Sequence, residues 1–272
     1  MMSAMSVVAV IGAGVMGETL VSGLMRAGRL PEELLLTERR PERADELRER
    51  YGVEVVSNPV AAAKADTLML VVKPQDMAEV LEEMAPHLST RTLVVSLAAG
   101  ITTAFVESRL PADVPVVRVM PNTPALVDEG MSAISRGSHC DEAHLHEAET
   151  LLSAVGRVLR VPEKQQDAVT AISGSGPAYI FFVVEAMIES GVHLGLPRST
   201  ATELVLQTVV GSAKLLRETG EHPTVLRERV TSPGGTTAAA VRELEDHKVR
   251  AAFLSAMEAA RDRSRALAAG AD

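Results

Sequence analysis

Residues 6–28, "SVVAVIGAGVMGETLVSGLMRAG", decide the fold. Residues 7–11 are continuously apolar, as in a strand buried on both faces of a parallel sheet. Glycine punctuation follows, then a helical pattern that ends near Gly28. Gly12-Ala13-Gly14-Val15-Met16-Gly17 fits G-x-G-x-x-G, and here it follows a strand and opens a helix, the context that gives the pattern meaning. In such a turn Gly12 permits the tight bend and Gly14 lets a pyrophosphate approach the backbone. Gly17 lets the helix pack on the strand. The helix N-terminus adds free N–H groups and a partial positive charge. The bland alternative, a glycine turn with no ligand, does not call for this strand–turn–helix setting.

The alternation continues outward. "ELLLTE" reads as a strand, "PERADELRERYG" as a charged helix, "GVEVV" as a brief extended piece, "PVAAAKAD" as helix and "TLMLVV" as strand. "QDMAEVLEEMAPHL" is an amphipathic helix with Met77, Val80, Leu81 and Met84 on one face. "TLVVSLAAG" is strand, "TTAFVESRL" helix, and "VPVVRVMPNTP" strand and loop. The expected fold class is α/β, with an N-terminal Rossmann-type, doubly wound parallel sheet over residues 1–161. Residues 162–272 are expected to form an all-α domain. Ser173-Gly174-Ser175-Gly176 interrupts its first helix, and Pro177 suits the first turn of a new one. Ile180, Phe181, Phe182, Val183 and Val184 are consecutive, so this helix is apolar all round and needs burial on every side. In so short a domain that burial calls for a second subunit, so a closely packed homodimer is expected, with larger assemblies open.

Composition bounds the function. With 272 residues and 46% of them hydrophobic, the chain can bury a real core. A net charge of −9 argues against nucleic acid and anionic membranes as partners. No Trp, two Tyr and four Phe leave few platforms for stacking bases. Cys140 is the sole cysteine, which excludes an intrachain disulfide and a cysteine-built metal site. "MMSAMSVVAVIGAG" has no basic n-region, and no apolar run approaches the roughly 20 residues that span a bilayer. A cytoplasmic protein is the expectation.

Several loops fall at the carboxyl ends of the strands, where such sheets bind ligands. After the second strand comes Thr37-Glu38-Arg39-Arg40-Pro41. An acidic residue there suits the ribose of NAD, and arginines suit the 2′-phosphate of NADP. Two arginines favour NADP(H), with NAD(H) possible, provided Glu38 turns away; the alternative for Arg39 and Arg40 is a solvated basic pair. Val72-Lys73-Pro74 follows a later strand. Lys73 reads as a cation near the ligand or as an ordinary surface lysine. Ala98-Ala99-Gly100 would let a flat ring lie against backbone. Asn122 sits between two prolines, where its amide can meet a carboxamide or ribose, or serve as a turn residue. "SHCDEAHLHEAE" holds one Cys and three His, but the irregular spacing reads as a solvated helix start rather than a metal site. No metal is expected. There is no G-x-S-x-G elbow.

Residues 230–245, "VTSPGGTTAAAVRELE", place two glycines and four hydroxyl residues around the start of an Ala-rich helix. A linker is ruled out, because helices of one domain lie on both sides. The alternative is an anion site: free N–H groups at the helix start, Gly234 and Gly235 clearing the approach, and Ser232, Thr236 and Thr237 adding hydroxyls. Simple capping would explain one threonine, but not the Ser-Pro-Gly-Gly before it.

Together these motifs resemble one family. "VAVIGAGVMGETL", "VVKP", "VVSLAAGIT", "VRVMPNTPALVDEGMSAI", "AISGSGPAYIF", "LGLPRSTA", "HPTVLRERVTSPGGTTAAAVRELE" and "RAAFLSAMEAA" look like pyrroline-5-carboxylate reductase, in order, from residue 7 to about 267. "RVMPNTPALV" and "SPGGTT" are the specific pieces. The resemblance implies hydride transfer from NAD(P)H to C5 of 1-pyrroline-5-carboxylate, giving L-proline in the last step of proline synthesis. It implies a helical dimerisation domain, active sites between domains and subunits, and assembly as far as decamers. It places Thr237 to hydrogen-bond the imine nitrogen and Asn58 on the adenosine side. The family's loop after the second strand often reads Ser-Asn-Arg, then Ser or Thr, then Pro. Arg39 falls on the arginine, Glu38 replaces the asparagine, and Arg40 replaces the hydroxyl residue. A β-hydroxyacid dehydrogenase would need a lysine on the first long helix after the sheet domain, yet none lies between Lys164 and Lys214. A reductase of another cyclic imine would keep the fold. A non-catalytic NADP-binding regulator would need the cradle but not "SPGGTT".

Overall fold

The structure is a computed structural model that describes residues 6–268 and Gly270. The reading of the first five residues as lacking a basic leader lies outside the described residues. β1 (Val8–Ile11) passes through the glycine turn into α1 (Val15–Arg26). There follow β2 (Leu34–Thr37), α2 (Pro41–Tyr51), β3 (Glu54–Val56), α3 (Asn58–Lys64) and β4 (Thr67–Leu70). Next come α4 (Met77–Met84), β5 (Leu93–Ser96), α5 (Thr103–Glu107) and β6 (Val116–Met120). The strands pair in the order β3-β2-β1-β4-β5-β6, all parallel. The strand order reverses between β1 and β4, and such sheets open a ligand crevice at that switch.

Alternate residues of β1 serve two cores. Val8 and Val10 pack with Leu20 and Leu24 of α1 and with Leu36. Ala9 and Ile11 pack with Leu68, Leu70, Met77 and Leu81 on the opposite face. The continuous apolar run of β1 follows from this two-sided burial. In α4 the expected face, Met77, Val80, Leu81 and Met84, is buried.

The eight-stranded sheet is mostly parallel, with one antiparallel pairing. β7 (Gly130–Arg136) pairs antiparallel with β6, and β8 (Gly156–Arg160) pairs parallel with β7 at the edge. Between them lies α6 (Glu142–Leu152), which begins as expected within "SHCDEAHLHEAE". The Asp141 carboxylate accepts from the His144 N–H at 3.0 Å, and His144 Nδ1 accepts from the Asp141 N–H at 3.1 Å. That histidine is part of a reciprocal cap. Among the described residues no group of three or more His, Cys, Asp or Glu is placed to hold a metal.

α7 (Gln166–Val169) runs through a π-turn, Thr170–Gly174, into α8 (Gly176–His193). The Ser175 N–H reaches the Thr170 carbonyl at 2.8 Å. The Ser-Gly repeat is therefore a bulge in a continuous helical run rather than an end. Glu163–His193, 31 residues, is by length and composition apolar enough to cross a membrane. This corrects the expectation that no run approaches that length; the glycines had divided it.

Contacts divide the chain into a unit that ends at Ser175 and resumes at Ala260, and a second unit, Gly176–Ala259. That division lies beyond the expected boundary at 161 and returns the end of the last helix to the first unit. The second unit holds α8, α9 (Arg198–Thr219), α10 (Pro223–Arg229), α11 (Thr236–Asp246) and the start of α12 (Val249–Ala268). Its only buried apolar side chains among the described residues are Ala201 and Val205. Phe181, Phe182, Val210 and Leu254 are each at least 60% exposed, so these helices have no closed core within one chain.

Candidate active site

The turn after β1 shows why each glycine stands where it does. Gly12 has φ +99°, and a Cβ there would lie 2.8 Å from the Val71 carbonyl oxygen. A Cβ on Gly17 would fall 2.0 Å from the Gly12 carbonyl oxygen, so this glycine lets α1 sit on the turn. A Cβ on Gly14 would meet nothing within 4 Å. Its lack of a side chain serves no packing need and leaves the approach to the backbone open. No side chain caps α1, and its first intrahelical bond is Glu18 N–H to the Gly14 carbonyl at 2.9 Å. The N–H groups of Val15, Met16 and Gly17 are thus without intrahelical acceptors, as helix geometry requires. Thr37 Oγ1 accepts from the Gly12 N–H at 3.1 Å and ties the turn to β2. The sequence reading missed that role of Thr37, which depends on strand register.

A cleft of about 590 Å³ opens beside this turn. It brings together Gly12, Ala13, Gly14, Glu38, Arg39, Arg40, Asn58, Val72 and Lys73, drawn from the ends of β1, β2, β3 and β4. Ser57, Asp76 and Glu83 also line it. Asn58 Nδ2 donates to Glu83 Oε2 at 2.6 Å. Pro74 begins a short turn, Pro74–Asp76, at the same rim.

At the β2 end the Glu38 carboxylate lines the cleft and is held by its neighbour Arg40. Glu38 accepts from Arg40 Nε at 3.1 Å, from Arg40 Nη2 at 3.2 Å and from the Arg40 main-chain N–H at 2.9 Å. The Arg40 hydrogen bond holds the Glu38 carboxyl below its usual range against the opposing effect of burial. Arg39 makes one ion pair, to Glu79 at 3.2 Å, with both side chains over 60% exposed.

Asn122 and Ala98 follow the ends of β6 and β5. Asn122 Nδ2 donates to the Ser173 carbonyl at 3.2 Å and to Ser173 Oγ at 3.3 Å, while Oδ1 accepts from the Met131 N–H at 2.8 Å. In this chain the amide ties its loop to the π-turn and to β7. Ala98 is 4% exposed and packs in the core just after the end of β5.

A partly buried network was not foreseen. Glu163 accepts from the Thr103 N–H at 2.8 Å, from Thr103 Oγ1 at 2.7 Å and from Arg118 at 3.2 Å. Its partners lie 45 and 60 residues away in sequence, so no local pattern announces it.

In the second unit, Ser232 to Thr237 form a turn into α11. The Gly235 N–H bonds the Ser232 carbonyl at 3.0 Å, and Gly234 has φ +70°. Gly235 is the N-cap and no side chain caps the helix. The capping alternative for Thr236 and Thr237 is therefore not what these residues do. The first intrahelical bond is Ala239 N–H to the Gly235 carbonyl at 3.2 Å, which leaves the N–H groups of Thr236, Thr237 and Ala238 without intrahelical acceptors.

Sheet order, glycine turn and cleft define a Rossmann-type, dinucleotide-dependent oxidoreductase. Residues 163–267 match the family model for pyrroline-5-carboxylate reductase dimerisation, and residues 7–100 match one described as NADP oxidoreductase, coenzyme F420-dependent. A pyrroline-5-carboxylate reductase of Corynebacterium melassecola is 50% identical, over 97% of this chain and 99% of the relative. The solved structure of such a reductase from Coxiella burnetii superposes with a TM-score of 0.92 at 38% identity, covering 97% of this chain and 99% of the other. That of Plasmodium falciparum pyrroline carboxylate reductase, with NADP bound, superposes at 0.87 with 29% identity, covering 97% and 98%. The chain belongs to the pyrroline-5-carboxylate reductase family.

Proposed function

We propose that this enzyme reduces 1-pyrroline-5-carboxylate to L-proline with NAD(P)H, NADPH being the preferred donor, as the last step of proline synthesis. The observation that carries the reading is the similarity over 97% of the chain to a reductase of that name. The two glycine-opened helix starts, at Gly14 and Gly235, agree with it: each offers uncapped N–H groups to an anion.

The residues present fit a dinucleotide, since the cradle at Gly14 is open where a Cβ would otherwise stand. Gly12, Gly14 and the first N–H groups of α1 would hold its pyrophosphate, with Ala13, Val15, Met16 and Gly17 supplying the surrounding backbone. Arg39, Arg40 and Asn58 would face its adenosine end, and Val72, Lys73, Pro74 and Ala98 the rest of its length. When bound, the dinucleotide supplies the hydride. The chain's own task is chiefly to orient the substrate. Ser232, Gly234, Gly235 and Thr236 grip the substrate carboxylate through N–H and hydroxyl groups. The Thr237 hydroxyl donates to the imine nitrogen, which makes the adjacent carbon more electrophilic.

The functional division falls at 161/162, the sheet part binding cofactor and the helical part binding substrate and a second subunit. Assembly proceeds beyond the dimer to a decamer, and the enzyme works in the cytoplasm, in keeping with its single, buried, unpaired cysteine. The test is Thr237→Ala: kcat/KM for the imine falls while the NADPH dissociation constant stays near wild type. Lost cofactor binding with unchanged turnover per bound cofactor contradicts the assignment.

A further inference from the structure

Resting on the cofactor reading above, we propose that Arg43 and Arg50, which lie outside the cleft, keep the dinucleotide cradle open and electropositive by holding the Glu18 carboxylate to one side of it. Glu18 is an acid in the first turn of α1, about 6 Å along the axis from the N-cap Gly14. A carboxylate there is drawn to the positive end of the helix and to its free N–H groups, the same groups that a pyrophosphate needs. Yet no side chain caps α1.

The reason lies on α2. Arg43 pairs with Glu18, and Arg50 Nη1 meets the same carboxylate at 2.7 Å. Tyr51 donates its hydroxyl to Glu18 Oε1 at 2.8 Å. Glu46 orients both arginines, Arg43 at 2.6 Å and Arg50 at 2.8 Å. Both oxygens of Glu18 are thus engaged sideways, by groups none of which lines the cleft. The two carboxylates and two guanidiniums form a set without net charge. Burial pushes the Glu18 carboxyl up, but Tyr51 and the two arginines outweigh it, so the group is an anion at neutral pH. Without the arginines that anion would stand one turn from the incoming phosphates, on a side chain only 19% exposed, where water screens it poorly. Arg43 and Arg50 are positioning residues that act through Glu18.

The test measures the affinities of ADP-ribose, which carries the pyrophosphate and cannot turn over, and of NADPH. Both are titrated by calorimetry into the full-length enzyme at two salt concentrations. The Arg43→Gln/Arg50→Gln double variant is expected to bind both ligands about tenfold more weakly at low salt, with a smaller loss at high salt, where charge is screened. Adding Glu18→Gln should bring both affinities back to within about twofold of wild type. That recovery is the mark of charge, because a contact that merely holds α1 to α2 is not restored by removing its last partner. Arg50→Gln alone, at a side chain 52% exposed, should show part of the loss, which guards against a fold defect in the double variant. Double-variant affinities within twofold of wild type, or a triple variant as weak as the double, overturn the proposal and spare the cofactor reading. Wild-type enzyme that binds neither ligand overturns both.

Discussion

Gly14 and Gly17 lie three residues apart and are glycine for opposite reasons. A methyl group on Gly17 would collide with backbone at 2.0 Å, so Gly17→Ala forces α1 off the turn. Overpacking of this kind costs about 1–3 kcal/mol, so a clear loss of thermal stability is expected. A methyl group on Gly14 meets no protein atom within 4 Å. Gly14→Ala should leave the melting temperature near wild type and weaken dinucleotide binding tenfold or more. Equal losses of stability in both variants would show that Gly14 serves packing instead. The tight bend at Gly12 and the close packing at Gly17 were legible in residues 6–28, because the constraint is local: strand, turn and helix are consecutive. Asn122 was not legible in the same way. Its partners, Met131 and Ser173, are supplied by β7 and by a π-turn that no short-range pattern reveals.

Among the elements, β7 and β8 show where pattern reading stops. β7 reads "GMSAISR", and its small polar residues suggest a loop, yet Ser132 and Ser135 are buried. The polarity of Ser135 is tolerable because of a distant residue: Gln166 Nε2 donates to Ser135 Oγ at 2.8 Å and to the Ala133 carbonyl at 3.1 Å. Ser135 Oγ in turn donates to the Val161 carbonyl at 2.9 Å. Gln166→Ala breaks this support and leaves buried groups unpaired, so a loss of about 1–3 kcal/mol is expected in denaturant unfolding. β8 carries Arg157 and Arg160 on an exposed edge, where charge discourages pairing with another chain. By contrast, β1 and α4 were legible because burial on both faces, or on one helical face, writes its period directly into the sequence.

On the scale of the whole molecule, the second unit is complete only with another chain. Phe182 is 71% exposed and Val210 60%, on helices that a dimerisation family model covers. Phe182→Glu and Val210→Glu should lower the mass seen by sedimentation and abolish activity together; variants that keep the wild-type mass would contradict this. Acid stability belongs to the first unit. Burial pushes the Glu18 carboxyl up, but the Tyr51 hydrogen bond, Arg43 and Arg50 outweigh it and hold the group below its ordinary value. A carboxylate lowered in this way contributes stability above its unfolded pKa of about 4.3 and loses it as pH falls through the lower folded value. Urea midpoints should therefore fall in acid more steeply for wild type than for Glu18→Gln. The central claim is tested most directly by proline formed per NADPH oxidised, with 1-pyrroline-5-carboxylate supplied beside a panel of hydroxy acids and other cyclic imines. The account predicts one proline per NADPH, turnover confined to this imine, and its loss in Thr237→Ala. NADPH oxidation by a hydroxy-acid or keto-acid pair with no proline formed would contradict it.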